Sequence, residues 1–219
     1  MSQQTVYSAD QSRLQVNKLL KNTYMLLSMT LAFSAVCAGL AMAISIGPMM
    51  SLGLSIGSLI LLFVTLKKAE SQSGIFWVFA FTGMQGASLG YILSHYAGMA
   101  NGPQLIMQAL GLTSLIFITL SGYAITTKKD FSFMRGFLVA GLVIVIVGSI
   151  VNIFLGSGPV FMAMNAGLAL LMTGFILYDT SRIVNGGETN YIRATVSLYL
   201  DFINLFIALL NLMGIGNND

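Results

Sequence analysis

Along most of this chain apolar residues run on with no regular alternation of polar ones. Residues 22–66, 71–127 and 136–178 contain no Lys, Arg, Asp or Glu, and these stretches are 45, 57 and 43 residues long. One helical crossing of a bilayer takes ~20 predominantly apolar residues, so each stretch has the length for two. Each is also interrupted near its middle, by Gly47-Pro48, by AGMANGP at 97–103 and by GSGP at 156–159. Gly and Pro clusters punctuate helices. The pattern therefore predicts three helical hairpins, with spans at 24–46, 50–67, 74–96, 104–126, 136–155 and 160–184, and a seventh at 192–213 that holds one charge, Asp201. Strands of a membrane barrel would alternate apolar and polar residues over ~10 positions, and these do not. The expected fold is an all-α membrane protein, a bundle of seven transmembrane helices. It divides into a cytoplasmic N-terminal tail (1–22), the transmembrane domain (23–214) and a short external C-terminus (215–219). The lead MSQQTVYSADQSRLQVNKLLKN is polar and reads as a mobile tail.

Composition sharpens this picture. Of the 219 residues, 56% are hydrophobic and 8% charged, whereas a soluble domain carries ~25% charged residues. So few charges cannot cover a water-exposed surface. The cations are sided. Arg13, Lys18 and Lys21 precede span 1, Lys67 and Lys68 follow span 2, Lys128, Lys129 and Arg135 lie between spans 4 and 5, and Arg182 and Arg193 flank the connection of spans 6 and 7. Seven spans place all ten on one face, which the positive-inside rule assigns to the cytoplasm. Six spans would fit the cations equally well, but residues 194–214 carry no charge apart from Asp201, are mainly apolar and are long enough to cross. A cleaved signal peptide ending at Ala41-Met42-Ala43 is disfavoured by the long polar lead and the long apolar run. The net charge of +3 is spread in small groups and does not point to nucleic acid. The single cysteine, Cys37, excludes an internal disulfide. The fourteen Met and fourteen Phe read as packing or lipid-facing residues. Gly53 with Gly57, and Gly86 with Gly90, have the spacing that lets membrane helices approach closely.

Two carboxylates fall inside spans, Asp179 and Asp201. A carboxylate at membrane depth is costly unless paired, solvated or protonated, and is a functional candidate by default. Asp179 lies six residues before Asn185 and Asp201 eight after Arg193, or ~9 Å and ~12 Å from the helix ends at 1.5 Å per residue. Adjacent antiparallel helices therefore carry them to similar depth. Span 7 also has a stripe, Ser197, Asp201, Asn204, Ala208 and Asn211, whose spacing of 4, 3, 4 and 3 puts it on one face. That face should turn inward, toward Asp179, Asn165 and Asn152, making helix 7 central. Two carboxyls at close range share a proton and titrate as a pair. Such a pair can act as a pH-sensitive latch or bind a hard cation such as calcium. The alternative is a structural network in which Arg182, Lys67 or Lys68 balances the aspartates.

Enzyme readings fit less well. Paired aspartates on two helices resemble those of intramembrane aspartyl proteases, and Tyr178-Asp179 matches the first motif of that class. The second should be Gly-x-Gly-Asp, but here it is Leu198-Tyr199-Leu200-Asp201. Gly86-Ala87-Ser88-Leu89-Gly90 matches the serine-hydrolase pattern, which requires a sharp strand-to-helix turn. His95 follows Ser88 by two helical turns, ~10 Å away. There is no Walker motif and no metal-ligand cluster, so no enzyme and no cofactor are expected.

The segments NGGETNYIRATVSLYLDFINLF at 185–206, TTKKDFSFMRGFLVAG at 126–141 and LKNTYMLLSMTLAFSA at 20–35 resemble the Bax inhibitor-1 family, in its bacterial YccA branch. The likeness extends from about residue 14 to 214. It implies a helical bundle with helix 7 at its centre and a helix 6–helix 7 aspartate pair, here Asp179 and Asp201. It implies two activities: a pH-sensitive calcium leak with that pair as sensor, and modulation of the membrane-anchored AAA protease FtsH and its associated membrane complex. The free N-terminus would serve the second. Some calcium-leak members carry an Arg cluster at the inner end of helix 2 that latches an aspartate. This chain has Lys67-Lys68 there, and Lys cannot make the bidentate contact. Some also carry an acidic residue within helix 2, and this chain has none. The reading is thus an inner-membrane FtsH modulator, with the cation leak as the alternative and the aspartyl protease as a remote one. The implied partners are the lipid bilayer and FtsH, with no nucleic acid. The implied site is Asp179 and Asp201, supported by Asn152, Asn165, Arg182, Ser197, Asn204, Lys67 and Lys68.

Overall fold

Proline and glycine set most of the helix ends. In the computed structural model, which describes residues 2–215 and the side chains of 14–214, seven long helices follow one another: α1 (Ser2–Ala43), α2 (Pro48–Lys68), α3 (Gly74–Ala97), α4 (Gly102–Thr127), α5 (Arg135–Leu155), α6 (Gly158–Val184) and α7 (Tyr191–Ile215). A short 3-10 turn, Ser132–Met134, leads into α5. No strand occurs among the described residues. Pro48 opens α2 and Pro103 lies in the first turn of α4, where a missing N–H costs no helical hydrogen bond. Gly156 ends α5 in the left-handed conformation, φ 59°, and its N–H donates to the Asn152 carbonyl at 2.8 Å. This is the C-terminal stop that glycine supplies without strain.

All seven helices contain a segment long and apolar enough to cross a bilayer, and the chain is a membrane-spanning protein. The sixth and seventh spans match the expected limits closely. The first does not. The N-terminal segment read as a polar tail is helical, because α1 is continuous from Ser2, and its apolar segment is Leu14–Ala43. The physical reason lies in cooperativity. No Gly or Pro precedes Gly39, and a span already helical serves as a nucleus from which each added residue gains a hydrogen bond. Residues 216–219 of the expected external C-terminus lie outside the described residues.

The chain separates into two compact units. One runs through Tyr91 and includes Arg182–Tyr199; the other comprises Ile92–Ser181 and the chain from Leu200. Within the first unit, α3 packs against α1 where Gly86 meets the Ser34 backbone and Gly90 meets Ala41, with no room for a Cβ at either glycine. This is the close approach expected of that pair. The second pair is only half used: Gly57 faces Met84, while Gly53 opens onto free space. Within the second unit, Tyr96, Leu105, Ala109, Phe206 and Leu210 form a buried cluster, and Phe117 meets Phe202 edge-on with ring centroids 5.6 Å apart.

α7 is the most buried helix, with 61% of its apolar window buried against 11% for α2 and for α5. Its inward residues are Ile192, Val196, Leu198 and Tyr199 in the first unit and Phe202, Leu205, Ala208 and Leu210 in the second. Conversely, α2 exposes Ile56, Leu59, Ile60 and Phe63, and α5 exposes Val143, Ile144, Val147 and Phe154. Helices that are apolar all round belong in a hydrocarbon surrounding.

Candidate functional site

Asp179 of α6 and Asp201 of α7 meet in the second unit, close enough for their carboxyl groups to hydrogen-bond. Both are buried, with 9% and 5% of their surface exposed. Asp201 Oδ2 is one of two buried side-chain oxygens with no hydrogen-bond partner among the described residues; the other is Thr23 Oγ1. A carboxylate can only accept, so a bond between two carboxyls requires a proton on one of them. Around Asp179 the helix is anchored by hydroxyls. Thr180 and Ser121 are 3.2 Å apart. Ser181 donates to the Lys129 carbonyl at 2.9 Å and accepts from the Phe131 N–H at 3.1 Å. α6 is thereby tied to the connection between α4 and α5.

Further along α7, Asn211 of the polar stripe joins a buried hydrogen-bond chain. Asn211 donates to Asn165 Oδ1 at 2.8 Å and accepts from the Tyr96 hydroxyl at 2.9 Å. Asn165 in turn donates to the Phe161 carbonyl at 2.8 Å. All three side chains are buried. The other supporting residues have separate places. Asn152 accepts from the Ser157 N–H at 3.2 Å and caps the end of α5. Asn204 donates to the Leu200 carbonyl of its own helix at 2.9 Å. Ser197 is half-buried, and Lys67 and Lys68 are exposed at the end of α2, all three within the first unit. Arg182 pairs with Glu188 at 3.5 Å.

The connection of α6 and α7 is a built structure. Gly186 takes φ 76°, a conformation that glycine adopts without steric cost. The Gly187 and Glu188 N–H groups donate to the Arg182 carbonyl at 2.8 and 3.1 Å. Glu188 Oε1 accepts from the N–H groups of Thr189 and Asn190, both at 2.9 Å. Asn190 Oδ1 accepts from the Ile192 and Arg193 N–H groups at 2.9 and 3.1 Å, an N-cap for α7. Its Nδ2 donates to the Ala69 carbonyl at 3.0 Å. Each polar letter of NGGETN that carries a side-chain bond here thus shapes the entry of α7.

Two tyrosines were not singled out by sequence reasoning. Tyr199, fully buried, shares a hydrogen bond with Ser34 at 2.7 Å and donates to the Thr82 carbonyl at 3.3 Å, while its ring meets Phe81. Tyr96 donates to Asn211 as described. The available signal was chemical: a phenol within a span must place its hydroxyl on a partner. The serine-hydrolase pattern falls in the unbroken α3, and the Ser88 hydroxyl donates to the Gln85 carbonyl at 2.7 Å. No group of three or more His, Cys, Asp or Glu residues forms among the described residues.

Comparison with known proteins decides the family. The model for "Inhibitor of apoptosis-promoting Bax1" matches residues 16–218. The chain belongs to the Bax inhibitor-1 family. Within that family it is 55% identical over 207 residues to a membrane protein of Vibrio cholerae, covering 94% of this chain and 93% of the other. It is 46% identical over 209 residues to the modulator of FtsH protease YccA of Escherichia coli, covering 95% and 94%. A protein of Pseudomonas aeruginosa is 41% identical over 212 residues, covering 97% and 96%. For this Bax inhibitor-1 member, the match takes in α7 and the helical connection before it, so the loop and the aspartates lie within the family's shared region.

Proposed function

We propose that this protein is an inner-membrane modulator of the FtsH protease, acting as a competing substrate or inhibitor rather than as an enzyme. The observation that carries the reading is the 46% identity, over 95% of the chain, to the Escherichia coli protein named as a modulator of that protease. The architecture suits such a role. A processive protease that extracts helices from a bilayer must expose the apolar length of each in turn, and this chain has seven. A substrate that is slow to extract occupies the enzyme and spares others. The ten cations on one face of a seven-span topology support a cytoplasmic N-terminus and α6–α7 connection, the side on which FtsH and its associated membrane complex would be met as partners. The test is the half-life of a membrane substrate of FtsH in proteoliposomes as this protein is added. The half-life should lengthen with the ratio of this protein to protease. An unchanged half-life at saturating amounts refutes the reading.

A second activity is supported by the aspartate pair. Two carboxyls in contact at membrane depth, with Asp201 Oδ2 left without a partner, suit a proton-responsive element that admits a cation such as calcium when the shared proton leaves. Calcium takes 6–8 oxygen ligands. The pair supplies at most four carboxyl oxygens, so water, hydroxyls or carbonyls would complete the shell. The side chains that carry this reading are Asp179 and Asp201. An aspartyl protease would use the same contact, but it would require the glycines that Leu198 and Leu200 replace.

A further inference from the structure

A cavity of about 540 Å³ opens in the second unit between α5, α6 and α7. It is distinct from the aspartate pair. Its walls are mainly apolar, Val145, Ile153, Phe161, Met164, Leu168 and Ile207 among them, and its polar lining consists of Ser149, Asn152, Asn165 and Asn211. None of the lining residues is charged, because residues 136–178 contain no charge and Ile207 and Asn211 are neutral. The cavity lies near the α5–α6 turn. Ser149 is seven residues before Gly156, and Leu168 is ten after Gly158, so the walls reach ~10–15 Å inward from that turn at 1.5 Å per residue.

What fills this space can be argued from its lining. At ~30 Å³ per molecule it would take about 18 waters, each of which wants two to four polar partners. Four polar side chains cannot support such a cluster. Asn165 and Asn211 are in addition already bonded to one another and to Phe161 and Tyr96. A space of this size with mostly apolar walls and a few oriented polar groups is the pattern of a site for an apolar ligand. Because its walls belong to membrane spans, the solvent at its mouth is lipid.

We infer that this cavity holds the acyl chain of a phospholipid from the leaflet facing the α5–α6 turn. The chain runs inward past Met164 toward Val145 and Leu168. The ester carbonyl of the lipid remains near Asn152 and Ser149, the polar side chains of α5 nearest the turn. The headgroup stays outside, where no charged side chain selects it. Close packing of α5 on α6 bounds the cavity: a Cβ at Gly148 would meet Met164 Sδ at 2.5 Å.

Photo-crosslinking separates this from ordinary lipid contact. The full chain is reconstituted with a phospholipid carrying a diazirine about midway along one acyl chain, and adducts are mapped by mass spectrometry. Val145 is 8% exposed and lines the cavity, whereas Phe63 and Phe154 are 66% and 86% exposed on lipid-facing surfaces. The expected result is adducts at Val145 and Leu168 that saturate as probe is raised, over a non-saturating background at Phe63 and Phe154. Filling the cavity with Ser149→Trp should remove the Val145 adducts and leave the Phe63 background, with an unchanged thermal unfolding midpoint in detergent showing that the variant is folded. Ile153→Trp serves as a second filling variant. Adducts confined to exposed residues in the wild type overturn the inference. So do Val145 adducts that persist in both filled variants.

Discussion

Asp179 and Asp201 are 22 positions apart in the sequence, yet their carboxyls share one buried contact. If that contact senses pH, each aspartate works only through the other. Asp179→Asn and Asp201→Asn should each flatten the pH dependence of cation flux in proteoliposomes between pH 6 and 8. The double variant should add little, because residues acting as a unit are not additive. Single variants that keep the wild-type pH profile would leave both aspartates as structural hydrogen-bonding groups. Both positions are legible in the sequence, since an acidic residue in an apolar span stands out. Tyr199 is not. It resembles any aromatic residue of a membrane helix until its hydroxyl is seen on Ser34.

Among the helices, small residues decide which faces touch. Both Gly-x-x-x-Gly pairs have the same spacing, but α3 uses its pair against α1 and α2 leaves Gly53 open. Gly86→Ala should therefore lower the thermal unfolding midpoint in detergent, since the new methyl meets backbone at Ser34 that cannot move aside. Gly53→Ala should leave the midpoint unchanged or raise it slightly, because alanine favours helix over glycine by about 1 kcal/mol. Equal effects of the two changes would mean that the α1–α3 approach does not matter to stability. α1 raises a separate question. Its first turns are helical, so a protease that engages the N-terminus must unwind them. Helix ends open at little cost. Deleting residues 2–12 should slow degradation by FtsH without affecting membrane insertion; degradation at the wild-type rate would exclude the N-terminus as the point of engagement.

For the molecule as a whole, orientation rests on the cations. Seven crossings put every Lys and Arg on one side, and an even number would move the C-terminus to that same side. A cysteine placed at Asn217, in a chain with Cys37→Ser, should react with an impermeant thiol reagent only from the external face. Reaction from the cytoplasmic face alone would remove either a span or the proposed orientation. The proposed modulation of FtsH depends on this arrangement, because it requires the N-terminus on the cytoplasmic side.

The number of helices and nearly all of their ends were decided by the sequence itself. A stretch of more than forty residues without charge has few states open to it in a bilayer, where every backbone group must be paired within a helix. Gly47-Pro48, Gly98–Pro103 and Gly156–Pro159 then divide each stretch. Composition likewise excluded a water-soluble surface, and depth along the helices brought Asp179 and Asp201 to the same level. The start of α1 is not legible in the sequence, because local polarity does not stop a helix that has already been nucleated. Partner choice among polar residues was decided only by the tertiary structure. Asn211 could have turned to Asn152 or Asn165 and meets Asn165. Asn152 serves its own helix end, Asn204 its own backbone and Arg182 pairs with Glu188. The period of a helix fixes the face on which a side chain stands. Which neighbour stands opposite depends on helix rotation and close approach, and those are set by packing between segments far apart in the chain.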